Sequence, residues 1–287
     1  MYQTRILKDS LAPCGKRLVT WELSYPRFVH AELMTHRLFS RNSASSRAIP
    51  TNKLMSRIRE DPALPKWWGL NQAGMQARAE LPADLRLQAE GLWLKARDAM
   101  LEVVGQLGAL GLHKQLANRL IEPWMFITVI VSATEFDNWF HLRNHKDAQP
   151  EIAWVASSMW EQYQEHGPTP LPEGSWHLPF IEAEDHAEAK SALGGDTSAV
   201  VGLLKKVSVG RCARVSYLTH DGKRDLDKDV ELHDRLCAGP TTGEPGHWSP
   251  FEHVAMALAE PKPSGNFIGW AQYRKAFEQE HHGARRL

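Results

Sequence analysis

Three stretches of the chain concentrate side chains able to bind an anion or a flat polar ring. The first is His36-Arg37-Leu38-Phe39-Ser40-Arg41-Asn42-Ser43-Ala44-Ser45-Ser46-Arg47, with three arginines and four serines in twelve residues. Hydroxyl, amide and guanidinium donors at this density suit a phosphate, because a planar guanidinium fork holds two phosphate oxygens at once. A solvated polar loop has the same composition. The second stretch runs from Thr134 to Ile152, with Asn138 and Leu142 one helical turn apart, Arg143 beside them, and Thr134 and Asp137 placed to cap the start. An arginine near a helix C-terminus is favoured by the macrodipole with or without a ligand. The third, Gly246-His247-Trp248-Ser249-Pro250-Phe251-Glu252-His253, reads as a capping box with Ser249 at the N-cap, Pro250 next and Glu252 third. A helix start also attracts phosphates, and His247 would face whatever anion is recruited there.

The elements that must position these groups follow from periodicity. Residues 17–33 begin as a β-favouring run and pass through Pro26 into a short helix, and a polar loop spans Thr35 to Pro50. From Asp84, placed as an N-cap, the residues Leu85, Ala89, Leu92, Ala96, Met100, Val103 and Leu107 recur at helical spacing and predict a long packed helix. Residues 112–133, with Arg119 and Pro123, read as a second helical piece, and a third starts near Thr134 and breaks before Pro150. Pro150 suits the first turn of another helix, with Ile152, Val155 and Met159 on one side. A proline- and glycine-rich run at 167–179 is the best boundary, so the chain divides into 1–166, a linker at 167–195, and 196–287. The last part reads as helices over 198–217 and 225–237 and a short strand at 254–259, and its strand–helix unit is expected to complete the same sheet as the one near the N-terminus.

Composition narrows the classes of function. At 287 residues and 43% hydrophobic content, the chain can bury a sizeable core. Lys plus Arg and Asp plus Glu each total 34, so a general nucleic-acid or acidic-membrane coat is disfavoured and any anion site must be local. The apolar stretch Trp124 to Val131 is far short of the roughly 20 residues of a membrane helix, and the opening MYQTRILKDS has no signal-peptide core, which predicts a cytoplasmic protein. Cys14, Cys212 and Cys237 form no CxxC pair, the fourteen histidines show no HExxH spacing, and no metal is expected. GxGxxG, GxxxxGK[ST] and GxSxG motifs are also absent.

Taken together, the clusters resemble the flavin-dependent thymidylate synthases, whose signature is Arg-His-Arg, seven residues, then Ser. Here Thr35-His36-Arg37 is followed by residues 38–44 and then Ser45, Ser46 and Arg47. Ala117-Asn118-Arg119, Pro123, Asn138, Leu142-Arg143 and Ala148-Gln149-x-Glu151-Ile152 are similar to that family's nucleotide-and-flavin helix. Ala213-Arg214-Val215-Ser216-Tyr217, followed by His247-x-Ser249-Pro250-Phe251-Glu252-His253, is similar to its N-terminal flavin segment. That segment comes first in the family and last here, as in a circular permutation. Thr35 replaces the first signature arginine, Glu32 stands at a glutamine position, Ser43 at a glutamate, Ser46 at a glycine and Asp147 at a histidine. Gln272 and Arg274 are placed to restore a lost glutamine or arginine.

The resemblance implies an α+β fold with a mixed or antiparallel sheet and a large helical part. It implies that His36, Arg37, Leu38, Asn138, Leu142, Ser216, His247, Ser249 and Glu252 hold FAD. Glu32, Ser45, Ser46, Arg47, Arg119 and Arg143 would hold a deoxynucleoside monophosphate, with Arg143 and Ser45 as the catalytic pair. The implied reaction is methylation of dUMP at C5, with methylenetetrahydrofolate and NADPH as co-substrates, in a homotetramer with shared sites. Methylation or hydroxymethylation of dCMP or dUMP for modified DNA precursors is the main alternative, and a non-catalytic nucleotide or flavin binder the second; a purely structural helical protein stands behind both. Cys212 occupies an alanine-like position and Cys14 and Cys237 lie in no polar constellation, so no cysteine is expected to act as a nucleophile.

Overall fold

The computed structural model describes residues 1–217, 224–238 and 246–277. The chain opens with an antiparallel hairpin, β1 (Gln3–Leu11) and β2 (Arg17–Pro26), whose turn uses Gly15 at φ +79°. A 3-10 turn at Arg27–Val29 leads into α1 (His30–Met34), then β3 (Ser40–Ser43), a 3-10 turn at Ser46–Ala48, and α2 (Thr51–Glu60). Next come α3 (Ala83–Ala109), α4 (Lys114–Ala117), a 3-10 turn at Asn118–Trp124, β4 (Phe126–Ala133), α5 (Asp137–Arg143) and α6 (Pro150–Glu165). The remainder is β5 (Thr169–Pro170), β6 (Trp176–His177), α7 (Ala183–Ala192), α8 (Thr197–Tyr217) and α9 (Leu226–Ala238). It ends with a 3-10 turn at Ser249–His253, β7 (Ala255–Ala257), the pair β8 (Pro263–Ser264) and β9 (Phe267–Ile268), β10 (Trp270–Gln272), and a 3-10 turn at Tyr273–Ala276.

The fold is α+β. A five-stranded sheet runs β3-β4-β2-β1-β5, antiparallel except for the short β1–β5 pairing. Val19, Trp21, Leu23 and Tyr25 alternate along one face of β2 and meet Val129 and Val131 of β4. α6 covers that face with Ile152, Val155 and Met159, the stripe expected after Pro150. The other face meets a three-stranded sheet, β10-β7-β6, through Leu18, Ala255, Ala257 and Trp270.

Five sequence expectations are corrected. Residues 126–133 form a strand rather than helix: FITVIVSA is rich in β-branched side chains, and a strand buried on both faces reads as a continuous apolar run. The loop 35–50 contains β3 and a 3-10 turn, because Ser40 and Asn42 point inward to polar partners. α3 exists, but only Leu101 and Val104 are buried, while Leu85, Leu92 and Val103 of the expected core stripe are exposed. The two strand–helix units do not share a sheet, since β7 pairs with β6 and β10. The run 167–195 carries β5, β6 and α7, so its prolines punctuate sheet edges instead of freeing a linker.

α7, α8 and α9 are clamped by a buried charge cluster. Arg211 reaches both Asp185 (2.8 Å) and Asp229 (2.8 Å), and Arg214 reaches Asp229 (2.6 Å). A buried guanidinium is tolerable only when its forks are filled this way.

Candidate active site

Residues 32–47 are the frame from which three groups of polar side chains hang. The first lies at the end of α1, where the carbonyls of the last turn favour a cation. Arg143, the last residue of α5, donates from Nε to His36 Nε2 (3.2 Å) and from Nη2 to Thr35 Oγ1 (3.2 Å). It also approaches the Glu32 carboxylate and the Glu32 carbonyl, each at 3.4 Å. His36 is buried, stacks on Phe39 and meets the edge of Trp139. Because Nε2 accepts from a guanidinium, the imidazole is neutral with its proton on Nδ1. Burial, reinforced by the Arg143 and Arg41 charges, pushes its pKa down to about 4. Burial raises the Glu32 pKa; Arg143 opposes the shift and Glu151 adds to it.

The second group centres on a carboxylate that sequence reading did not single out. Glu122 Oε1 accepts from Ser46 Oγ (2.6 Å) and Arg119 Nη1 (2.8 Å), and its Oε2 lies 3.7 Å from Arg27 Nε. Asn118 fixes the Ser46 turn by donating to the carbonyls of Ser46 (2.7 Å) and Ile49 (2.9 Å), which leaves its own buried Oδ1 without a partner. Arg47 follows on the same turn and is exposed. Pro123 lies inside the 3-10 turn that carries Arg119 and Glu122 up to β4.

The third group joins the C-terminal segment to β3. Asn42 donates from Nδ2 to the Cys212 carbonyl (2.7 Å) and receives the Ser249 hydroxyl at 3.5 Å. His247 Nε2 lies 3.3 Å from Ser249 Oγ, and burial lowers the His247 pKa. Gln272 donates to Ser40 Oγ (3.1 Å) and Asn266 Oδ1 (2.9 Å), and Asn266 donates to the Leu38 carbonyl (2.7 Å). Gln272 therefore stands beside β3, and Arg274 pairs with Glu252. The expected capping box at Ser249 does not form. Trp248 is the N-cap of a short 3-10 turn without a side-chain cap bond, because Ser249 is engaged with Asn42 and Glu252 with Arg274. Nor do Thr134 and Asp137 cap α5: Phe136 is its N-cap, and the Thr134 hydroxyl accepts from the Ile268 amide (3.2 Å).

His253 anchors the same turn through a buried string of five polar side chains. Ser10 Oγ meets His177 Nδ1 (2.9 Å), His177 Nε2 meets Thr20 Oγ1 (2.8 Å), Thr20 meets Ser132 Oγ (2.6 Å), and Ser132 meets His253 Nδ1 (2.8 Å). Desolvation drives the pKa of His253 down to about 3 and that of His177 well below its ordinary value, so both are neutral.

The structure thus brings Glu32, His36 and Arg143 into one group and Ser46 and Arg119 into another, and it places Ser249 and Glu252 on one turn, with Ser249 bonded to β3 and His247 beside it. Arg37, Leu38, Arg47, Asn138 and Leu142 are exposed, and among the described residues their side chains make no hydrogen bond. Ser45 precedes the Ser46 turn in extended backbone. Ser216 falls in the last turn of α8, and its side chain lies outside the described residues. Asn42, Ser40, Glu122 and Arg27 are contacts not foreseen; the alternation of Ser40 and Asn42 with Arg41 and Ser43 was the available signal for the first two. Among the described residues, no three His, Cys, Asp or Glu side chains gather as a metal site, and no helix is long and apolar enough to cross a membrane.

A family model described as "Thymidylate synthase complementing protein" matches residues 15–169. Two solved structures of a UMP/dUMP methylase, PolB from Streptomyces cacaoi, align with the chain at 14% identity. The one bound with 5-Br UMP gives a TM-score of 0.47 and covers 57% of this chain and 89% of that chain. The one bound with 5-Br dUMP gives 0.46, 57% and 91%. No curated protein matches the sequence.

Proposed function

The chain belongs to the thymidylate synthase complementing protein family, thymidylate synthase-like methyltransferases, and on that premise we propose that it methylates dUMP at C5 with methylenetetrahydrofolate, FAD and NADPH. The observation that carries this reading is Arg143, a cation seated by α1, Thr35 and neutral His36 while still reaching the surface. Aimed at a pyrimidine carbonyl, it stabilises the negative charge that develops on the ring as C5 becomes nucleophilic. Ser45, Ser46, Arg47 and Arg119 are assigned to the nucleotide, whose phosphate their hydroxyls and guanidinium forks would orient.

The residues fit a flavin. Leu38 and Leu142 are large apolar side chains about half exposed, and they lie next in sequence to Arg37 and Arg143. Asn138, His247, Ser249 and Glu252 add the mixture of donors and acceptors that a flat heteroaromatic ring with a diphosphate requires. When bound, the flavin supplies the redox chemistry. The protein's own part is to hold Arg143 charged and His36 neutral, and to align base and ring through the 32–47 frame. The seat of Ser249 and His253 against β3 and β4 supports the relocation of the family's N-terminal segment to this end of the chain. The unengaged, exposed Arg37, Arg47 and Asn138, together with the apolar surface of α3, support a homotetramer in which neighbouring copies complete the sites.

A second reading rests on Glu32. A carboxyl with raised proton affinity beside Arg143 can accept from an exocyclic amine when ionised, which favours methylation or hydroxymethylation of dCMP. The deciding experiment incubates the protein with FAD, NADPH and methylenetetrahydrofolate under anaerobic conditions with dUMP or dCMP, and identifies the product by mass. A methyl gain on dUMP is the expected result. A hydroxymethyl gain or a dCMP product selects the second reading, and bound flavin and nucleotide without product identify a non-catalytic homologue.

A further inference from the structure

We infer that Glu122 occupies the place of the substrate's phosphate in the unliganded protein, and that binding exchanges this carboxylate for a phosphomonoester. The inference rests on the assignment of Ser46 and Arg119 as phosphate ligands. Both already have a partner, the same oxygen: Glu122 Oε1 takes the Ser46 hydroxyl at 2.6 Å and the Arg119 guanidinium at 2.8 Å. A phosphate cannot take those donors while an ionised carboxylate holds them, because the two anions would stand in contact. Glu122 is therefore a competitor built into the site.

The geometry also provides a place for it to go. Its other oxygen faces Arg27 at 3.7 Å, beyond a tight ion pair, so the side chain can turn onto Arg27 as Oε1 leaves Ser46 and Arg119. The carboxylate keeps a partial opening to solvent, with 17% of its side chain exposed, whereas Ser46 is buried. Asn118 holds the Ser46 turn from behind through two backbone carbonyls, so the donors stay in place during the exchange. Exposed Arg47 on the same turn adds a charge available to an incoming dianion. The exchange makes Glu122 a specificity residue. A monoanionic carboxylate ligand gains little over the resident one, while a phosphomonoester brings more charge and a third oxygen for Arg47.

The test compares wild type with Glu122→Gln and Glu122→Ala by calorimetric titration with inorganic phosphate, dUMP and deoxyuridine, after thermal melts establish that each variant folds. Glu122→Gln is expected to bind inorganic phosphate and dUMP about tenfold more tightly, a change of about 1.4 kcal/mol. Deoxyuridine, which lacks the phosphate, is expected to be unaffected. Weaker or unchanged inorganic phosphate binding in the folded variants, including no detectable binding, overturns the inference and makes Glu122 an ordinary support for Ser46 and Arg119. The methyl-transfer reading fails separately: tighter phosphate binding without any pyrimidine product leaves the exchange standing, and product formation with unchanged phosphate binding leaves the reaction standing.

Discussion

Arg143 and His36 fix each other's chemistry. The guanidinium proton on His36 Nε2 requires a neutral imidazole, and the positive charge beside it is one reason the imidazole titrates near pH 4. Arg143→Gln is expected to move the His36 pKa upward, read by the imidazole carbon-bound proton shifts in NMR, while dUMP binding weakens. His30 is held at about 4 as well, by burial and by Arg27 and Arg41. The unfolded chain, with histidines near 6.5, binds more protons than the folded one between these values. Their contribution to stability is therefore complete above pH 6.5 and lost as pH falls through 4, and urea midpoints should drop between pH 7 and pH 4. The cysteines lie outside this chemistry. Burial raises the Cys212 thiol and lifts Cys237 to about 11, so replacing all three with alanine should leave turnover within severalfold. A folded triple variant without turnover would restore a thiolate mechanism. Residue types revealed the anion-binding character of 36–47, but not Glu122, because a carboxylate between an arginine and a proline reads as an ordinary helix-surface charge.

At the scale of elements, close approach explains what periodicity could not. A Cβ on Gly210 would lie 2.3 Å from the Asp229 carbonyl oxygen, so α8 and α9 pack at this distance only with glycine there. Gly210→Ala should cost about 1–3 kcal/mol, seen as a lower melting temperature, by forcing the helices apart and loosening Arg211 from Asp229. Helices with a buried stripe, such as α6, were legible because spacing and an N1 proline agreed. β4 was not, since a short apolar run buried on both faces has no period to separate strand from helix. β1 and α2 carry no such signal: β1 sets Ile6 beside Leu7 and Lys8 beside Asp9, with a register shift between Ile6 and Lys8, and α2 buries only Leu54 and Ile58. The apolar spacing of α3 is real, but Leu85 and Leu92 on its N-terminal half face outward, a pattern that one chain's sequence cannot distinguish from core.

Across the whole molecule, the site depends on contacts more than two hundred residues apart. Ser40 and Asn42 receive Gln272 and Ser249, so a fragment ending at residue 166 leaves buried polar groups of β3 unpaired. That fragment is expected to bind FAD at least about tenfold more weakly than the full chain in a fluorescence titration, equivalent to losing about one hydrogen bond to a polar partner. No sequence periodicity connects these segments; only the resemblance of each to one family placed them together. The string from Ser10 to His253 joins the two sheets at the same place, and it has a direction. Each neutral imidazole has one N–H and each hydroxyl one proton, five protons for four bonds, and since an imidazole cannot accept at both nitrogens the proton left over belongs to Ser10, Thr20, Ser132 or His253. When His253 Nδ1 donates to Ser132 its buried Nε2 is left a bare lone pair, and when Nδ1 accepts from Ser132 it is left an unanswered N–H. The coupling between the two histidines runs one way: a His177 proton on Nδ1, donated to Ser10, obliges every later bond to run from His253 and so places the His253 proton on Nδ1.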